Sequence, residues 1–188
     1  MKCAIFEEKG RRHDMQRVLG HVTLQNAVRR MGDFVLTSCA ANALQPYRQN
    51  DNGWDQGQVF FTPSQVWGMP PYYAQQMAAA HHRPLTVGCG VEGADGVLDV
   101  TATRSREAGS VVLHIANTGA EPLRVGLRVD GMGKVSQARM VSLSGDLDAV
   151  NTPEEPRRIA PVGRELPAWA AQTVDIAPYS YTIVVLDE

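Results

Sequence analysis

Two adjacent carboxylates, Glu7 and Glu8, close a short apolar run, Cys3-Ala4-Ile5-Phe6, and are followed by Lys9-Gly10. A continuous apolar run of this length is the pattern of a strand covered on both faces, as in parallel sheets. In a barrel of parallel strands the end where Glu7 and Glu8 stand is where reactive groups project, so a carboxylate there is available for nucleophilic or proton-transfer chemistry. Side chains alternate along a strand, so only one of the two can enter the barrel mouth; the other faces helices or an ion pair. The same pair also reads as the solvated start of a loop.

A second candidate follows the next apolar run. Asn42-Ala43-Leu44-Gln45-Pro46 and then Gln49-Asn50-Asp51-Asn52-Gly53-Trp54-Asp55-Gln56-Gly57 combine amides, carboxylates and a planar ring. Hydroxyl-rich rings are recognised by such groups, because hydroxyls need paired donors and acceptors and sugar C–H faces stack on aromatics. Asn42, Gln45 and Trp54 are therefore candidate substrate contacts. A turn-rich loop whose Asn and Asp bond their own backbone has the same composition, and the two readings are compatible.

Other chemistries find no anchor. His13 and His21 are eight residues apart rather than four, and His81-His82 falls at a helix end where charge suits the dipole, so no metal site is expected. G-x-G-x-x-G, G-x-S-x-G and Walker patterns do not occur, and no cofactor is called for. With 18 basic and 20 acidic residues the net charge of −2 gives no electrostatic basis for nucleic-acid binding. Apolar runs never approach the ~20 residues of a membrane span. The apolar start before Glu7 is too short for an export signal. Cys3, Cys39 and Cys89, odd in number and widely spaced, read as free buried thiols, which agrees with a reducing, cytoplasmic setting without fixing it.

The elements that must position these groups change character near Pro84. Before it, Asp14 is a plausible N-cap for a helix with apolar positions Met15, Val18, Leu19 and Val22, continued by Ala27, Val28 and Met31 and stopped by Gly32. Phe34-Val35-Leu36 reads as a second buried strand, 42–57 as a long polar loop, and Thr62-Pro63 as the start of a second helical stretch, interrupted at Pro70-Pro71. The order β, α, β, α favours a parallel sheet. Two such strands cannot protect both edges, which leaves their completion to the second half, another copy of the chain, or, preferably, a larger structure of which this is the tail. At 188 residues the chain cannot itself hold a complete (β/α)8 barrel. After Pro84, Leu123, Val125, Leu127 and Val129 alternate with polar residues and glycine, and further short strands at 97–103, 111–116, 135–143 and 180–186 are separated by turn signals. This predicts an antiparallel β-sandwich over 85–188, with 151–164 an extended connection lying over it.

The chain resembles the C-terminal part of an alpha-L-arabinofuranosidase of glycoside hydrolase family 51. The resemblance rests on Ala4-Ile5-Phe6-Glu7-Glu8, Asn26-Ala27 leading to Gly32-Asp33-Phe34-Val35, and Ala41-Asn42-Ala43-Leu44-Gln45-Pro46. It continues through Trp54, Val59-Phe60-Phe61-Thr62-Pro63, Trp67-Gly68-Met69-Pro70-Pro71-Tyr72-Tyr73, Asn151-Thr152-Pro153 and the closing Ser180-Tyr181-Thr182 strand. It implies an α/β fragment, the last two βα units of a TIM-type barrel over 1–84, followed by the sandwich. It also implies a retaining mechanism, with Glu8 as nucleophile and Glu7 as its neighbour and the alternative nucleophile. The substrate would be an arabinofuranosyl-containing oligosaccharide or polysaccharide such as arabinan or arabinoxylan. Lys9 stands where such enzymes usually carry an aromatic, and the Asn-Glu pair that holds their acid/base is absent. The acid/base must therefore come from elsewhere, and the chain alone is expected to be inactive. Two other classes fit the same sequence: a non-catalytic carbohydrate-binding module with Trp54, Tyr47 and Trp169 as stacking rings, and a structural sandwich that stabilises a barrel or an oligomer.

Overall fold

The computed structural model describes residues 13–39, 43–49, 57–94, 96–107, 109–167 and 172–188. Helix α1, Met15–Arg30, begins where the sequence places it, with the Asp14 side chain accepting from the Arg17 backbone N–H at 3.1 Å. Met15, Val18, Leu19 and Val22 are its buried stripe. Gly32, in the left-handed region at φ 55°, turns the chain out of the helix.

The expected buried strand at Phe34-Val35-Leu36 does not form. Gly32–Phe34 is a turn of 3-10 helix, residues 35–39 are irregular, and Phe34 and Leu36 are 82% and 91% exposed. A strand needs a neighbour to take its backbone hydrogen bonds, and none of the described strands lies beside this segment. The preceding strand at 3–6 lies outside the described residues.

Within the predicted polar loop, Leu44–Pro46 forms a short strand, β1, which pairs in parallel with β2, Val59–Phe61. β2 turns back into β3, Val66–Gly68, as an antiparallel hairpin. Thr62-Pro63 therefore opens this hairpin turn instead of a helix. The Thr62 hydroxyl accepts from the backbone N–H groups of Ser64 and Gln65, while Thr62 N–H donates to the Gln65 carbonyl. The second helix, α2, Pro70–Ala80, starts at the proline pair, which occupies N1 and N2, where a missing N–H leaves no bond unmade.

The described residues after Pro84 form antiparallel sheets of the sandwich kind that the alternation predicts. Their strands are β4 (Leu85–Val87), β5 (Leu98–Arg104), β6 (Ser110–Asn117), β7 (Leu123–Gly126), β8 (Gln137–Ser144), β9 (Val162–Leu166), β10 (Thr173–Ile176) and β11 (Ser180–Asp187). One sheet has the order β4-β5-β6-β11-β8-β9; the other is the pair β10-β7. The 151–164 connection is irregular at first, but its end joins β9, which pairs with β8. Central β11 is buried along nearly its whole length and serves two cores. Tyr181, Ile183 and Val185 face α1 and α2 with Val112, Ala116 and Leu143. Val184 and Leu186 face the β7–β10 pair, meeting Val174 and Ile176. The period of two along β11 thus divides helix-side from sheet-side packing, and the helices before Pro84 share one hydrophobic core with strands after it.

Candidate functional site

The residues that follow β1 join an aromatic cluster with β2 and β3. Tyr47, one residue past β1, meets Trp67 of β3 edge-on at 5.2 Å between centroids and Phe60 of β2 at 6.5 Å. Phe60 and Trp67 stack at 6.2 Å, and His13 lies 5.1 Å from Phe60. Arg48, in the left-handed region at φ 62°, folds its guanidinium over the Tyr47 ring at 5.1 Å. His13 is itself held near the Arg17 guanidinium, 3.4 Å from His13 Nδ1.

Glu7, Glu8, Asn42 and Trp54 lie outside the described residues, as does Trp169. Gln45 is described, and it is buried. Its Nε2 donates to the Gln49 carbonyl at 3.3 Å and its Oε1 accepts from the Gly57 N–H at 3.1 Å. Gly57 fits so closely that a Cβ there would stand 2.2 Å from that of Gln45. Gln45 therefore ties Gln49 and Gly57 together through both ends of its amide. The sequence shows the amide but not its partner, because the closure is made across twelve residues.

Between β3, α2 and the 151–161 connection runs a groove of about 600 Å³ whose lining includes Gln65, Trp67, Tyr72, Gln76 and Arg157. Sequence reasoning assigned Gln65 to a helix and missed the groove. The available signals were the i, i+4 spacing of Tyr72 and Gln76 and the glycine at 68. A Cβ on Gly68 would lie 2.4 Å from the Tyr72 ring, so only glycine lets that ring lie against β3.

Away from this region, His114 on β6 is fully buried, its Nδ1 sharing a 2.8 Å hydrogen bond with the Tyr181 hydroxyl. Burial first, then the positive charge of Arg29, lowers its pKa to about 3; burial raises that of Tyr181 to about 12 against the opposing pull of Arg29. His21 on α1 is likewise lowered to about 4, by burial first and then by Arg17 and His13. Asn26 bridges helix and sheet: its Nδ2 donates to the Asp99 and His114 carbonyls, and its Oδ1 accepts from Thr101 and Arg29. These groups knit α1 to the sheet. Cys39 and Cys89, expected to be buried, are unpaired and exposed; Cys3 lies outside the described residues. Among the described residues no cluster of three or more His, Cys, Asp or Glu could hold a metal, and no helix is long and apolar enough to cross a membrane.

A two-sheet sandwich backed by two helices, with an aromatic cluster at one side, is the class of domain these elements define. The chain belongs to the family of alpha-L-arabinofuranosidase C-terminal domains, whose model matches residues 7–180. Among solved structures it is similar to the arabinose complex of alpha-L-arabinofuranosidase from Thermotoga maritima, with 18% identity and a TM-score of 0.77 over 99% of this chain and 41% of that one. The family 51 enzyme from Thermotoga petrophila matches at 17% identity and a TM-score of 0.80, over 98% of this chain and 41% of that one. A beta-porphyranase of family 86 from Bacteroides plebeius shares the fold at 14% identity and a TM-score of 0.66, over 92% of this chain and 30% of that one. The chain thus spans well under half the length of these structures. No curated protein matches the sequence.

Proposed function

We propose that this chain is the C-terminal portion of a retaining glycoside hydrolase that removes arabinofuranosyl units from plant polysaccharides such as arabinan or arabinoxylan. The observation that carries the reading is the family match, which begins at Glu7 and runs through to the last strand. In this reading residues 1–84 contribute the last two βα units of a barrel and 85–188 the sandwich that buttresses them. The Glu8 carboxylate attacks the anomeric carbon and the glycosidic bond breaks. The leaving oxygen takes a proton from a carboxylic acid supplied outside this chain, ~5 Å away across the bond, and water then releases the sugar from Glu8. Asn42, ahead of β1, and Trp54, between Gln49 and Gly57, contact the substrate. Exposed Phe34 and Leu36 support the same reading, since a neighbouring barrel strand would cover them.

The test is hydrolysis of an aryl arabinofuranoside by the complete enzyme that contains this chain, against its Glu8→Gln and Glu7→Gln variants. Loss of a nucleophile is expected to lower kcat by at least ~10³-fold for Glu8→Gln and far less for Glu7→Gln. Full activity in Glu8→Gln defeats the assignment. The 188-residue chain alone is expected to release no measurable product.

A further inference from the structure

The structure assigns the groove between β3, α2 and the 151–161 connection as a further carbohydrate-binding site, which we propose takes a neutral pentose chain. The choice of ligand class rests on the hydrolase reading above; the site itself rests on its own geometry. Tyr72 is half-buried and its ring lies against Gly68, where a Cβ would stand 2.4 Å away, so the ring is held as a fixed platform. Tyr73 meets it edge-on at 5.3 Å and limits its movement. A sugar ring offers C–H groups to such a face and hydroxyls at its rim.

The rim groups suit hydroxyls. Gln65 donates its Nε2 to the Pro153 carbonyl at 2.8 Å, which fixes the amide and leaves its carbonyl oxygen without a donor. Gln76, one turn beyond Tyr72 on α2 and exposed, places a second amide at the same rim, its Nε2 3.5 Å from the Tyr72 hydroxyl. Arg157 adds exposed guanidinium donors and is, among the described residues, the one charged residue lining the groove. Two amides and a single cation match an uncharged polyhydroxyl ligand better than a polyanion, whose phosphates or carboxylates would require several cations. A volume of about 600 Å³ accommodates two or three pentose units, within the range of small-molecule clefts.

The 188-residue chain is titrated by NMR with linear arabinohexaose, with xylohexaose and with a proline-rich peptide, following the Gln65 and Gln76 side-chain amides. Saturable shifts at these groups with a Kd on the order of 1 mM are expected for at least one of the two sugars. Tyr72→Ala is expected to weaken binding at least ~10-fold. Arg157→Ala, at an exposed position that leaves folding intact, is expected to weaken it about 3-fold. Silence with both sugars, unchanged affinity in both variants, or saturation by the peptide alone overturns the proposal. Because the readout is binding, it separates from Glu8 chemistry. A silent titration alongside an inactive Glu8→Gln enzyme removes the groove and leaves the hydrolase; sugar binding alongside a fully active Glu8→Gln enzyme does the reverse.

Discussion

At the scale of single residues, the buried polar groups govern how the fold responds to acid. The unfolded chain takes up a proton on each imidazole as pH falls below 6.5, while folded His21 resists to about 4 and folded His114 to about 3. The unfolded state thus binds more protons across this window, so the stabilisation is complete above 6.5 and drains away as pH drops through it. Urea titrations between pH 7.5 and 5 should show stability falling with decreasing pH, each histidine contributing about 1.4 kcal/mol per pH unit once below 6.5. His114→Gln should flatten that slope. An unchanged slope in the variant would show that His114 is not protected from protonation. Asn151 is a second buried polar anchor, bonded to Gly68 and Ile159 through both ends of its amide. It fastens the 151–161 connection against β3.

At the scale of elements, α1 and β11 decide whether the helices stay on the sandwich. α1 has one side-chain cap, from Asp14, and Asp14→Ala should lower stability by about 1 kcal/mol in chemical denaturation. β11 lies between β6 and β8, paired over eight residues on each side, and Ile183 points from it into the helix-side core. Ile183→Ala should cost about 2–5 kcal/mol, well beyond the loss of the cap, because the cavity opens in a core fixed on both faces. Equal effects from the two substitutions would mean that the helices contribute little to holding that core.

At the scale of the whole molecule, Phe34, Leu36, Leu44 and Val66 leave large apolar side chains exposed. Soluble proteins rarely leave such surface uncovered, so the isolated chain should gain apparent mass in light scattering as its concentration is raised. A Phe34→Ser, Leu36→Ser double variant should stay monomeric at the same concentrations. A wild-type chain that remains monomeric throughout would count against these side chains forming a contact surface.

The sequence by itself determined the local elements whose signals are complete within one turn or one strand. Asp14 followed by Met15, Val18, Leu19 and Val22 specifies α1, and the alternation from Leu123 onward specifies strands with one wet face, because side-chain direction follows backbone period. The family resemblance of the ordered motifs was also legible there. Tertiary structure alone decided the rest. Thr62-Pro63 satisfies a helix start and a hairpin turn equally well, and pairing of β2 with β3 selected the turn. Phe34 and Leu36 have the composition of a buried strand, yet burial depends on a neighbour that composition cannot supply. Gln45 is a tie to Gly57 and Tyr72 a fixed platform only because Gly57 and Gly68 come close in space, contacts set by packing between elements and carried by no local pattern.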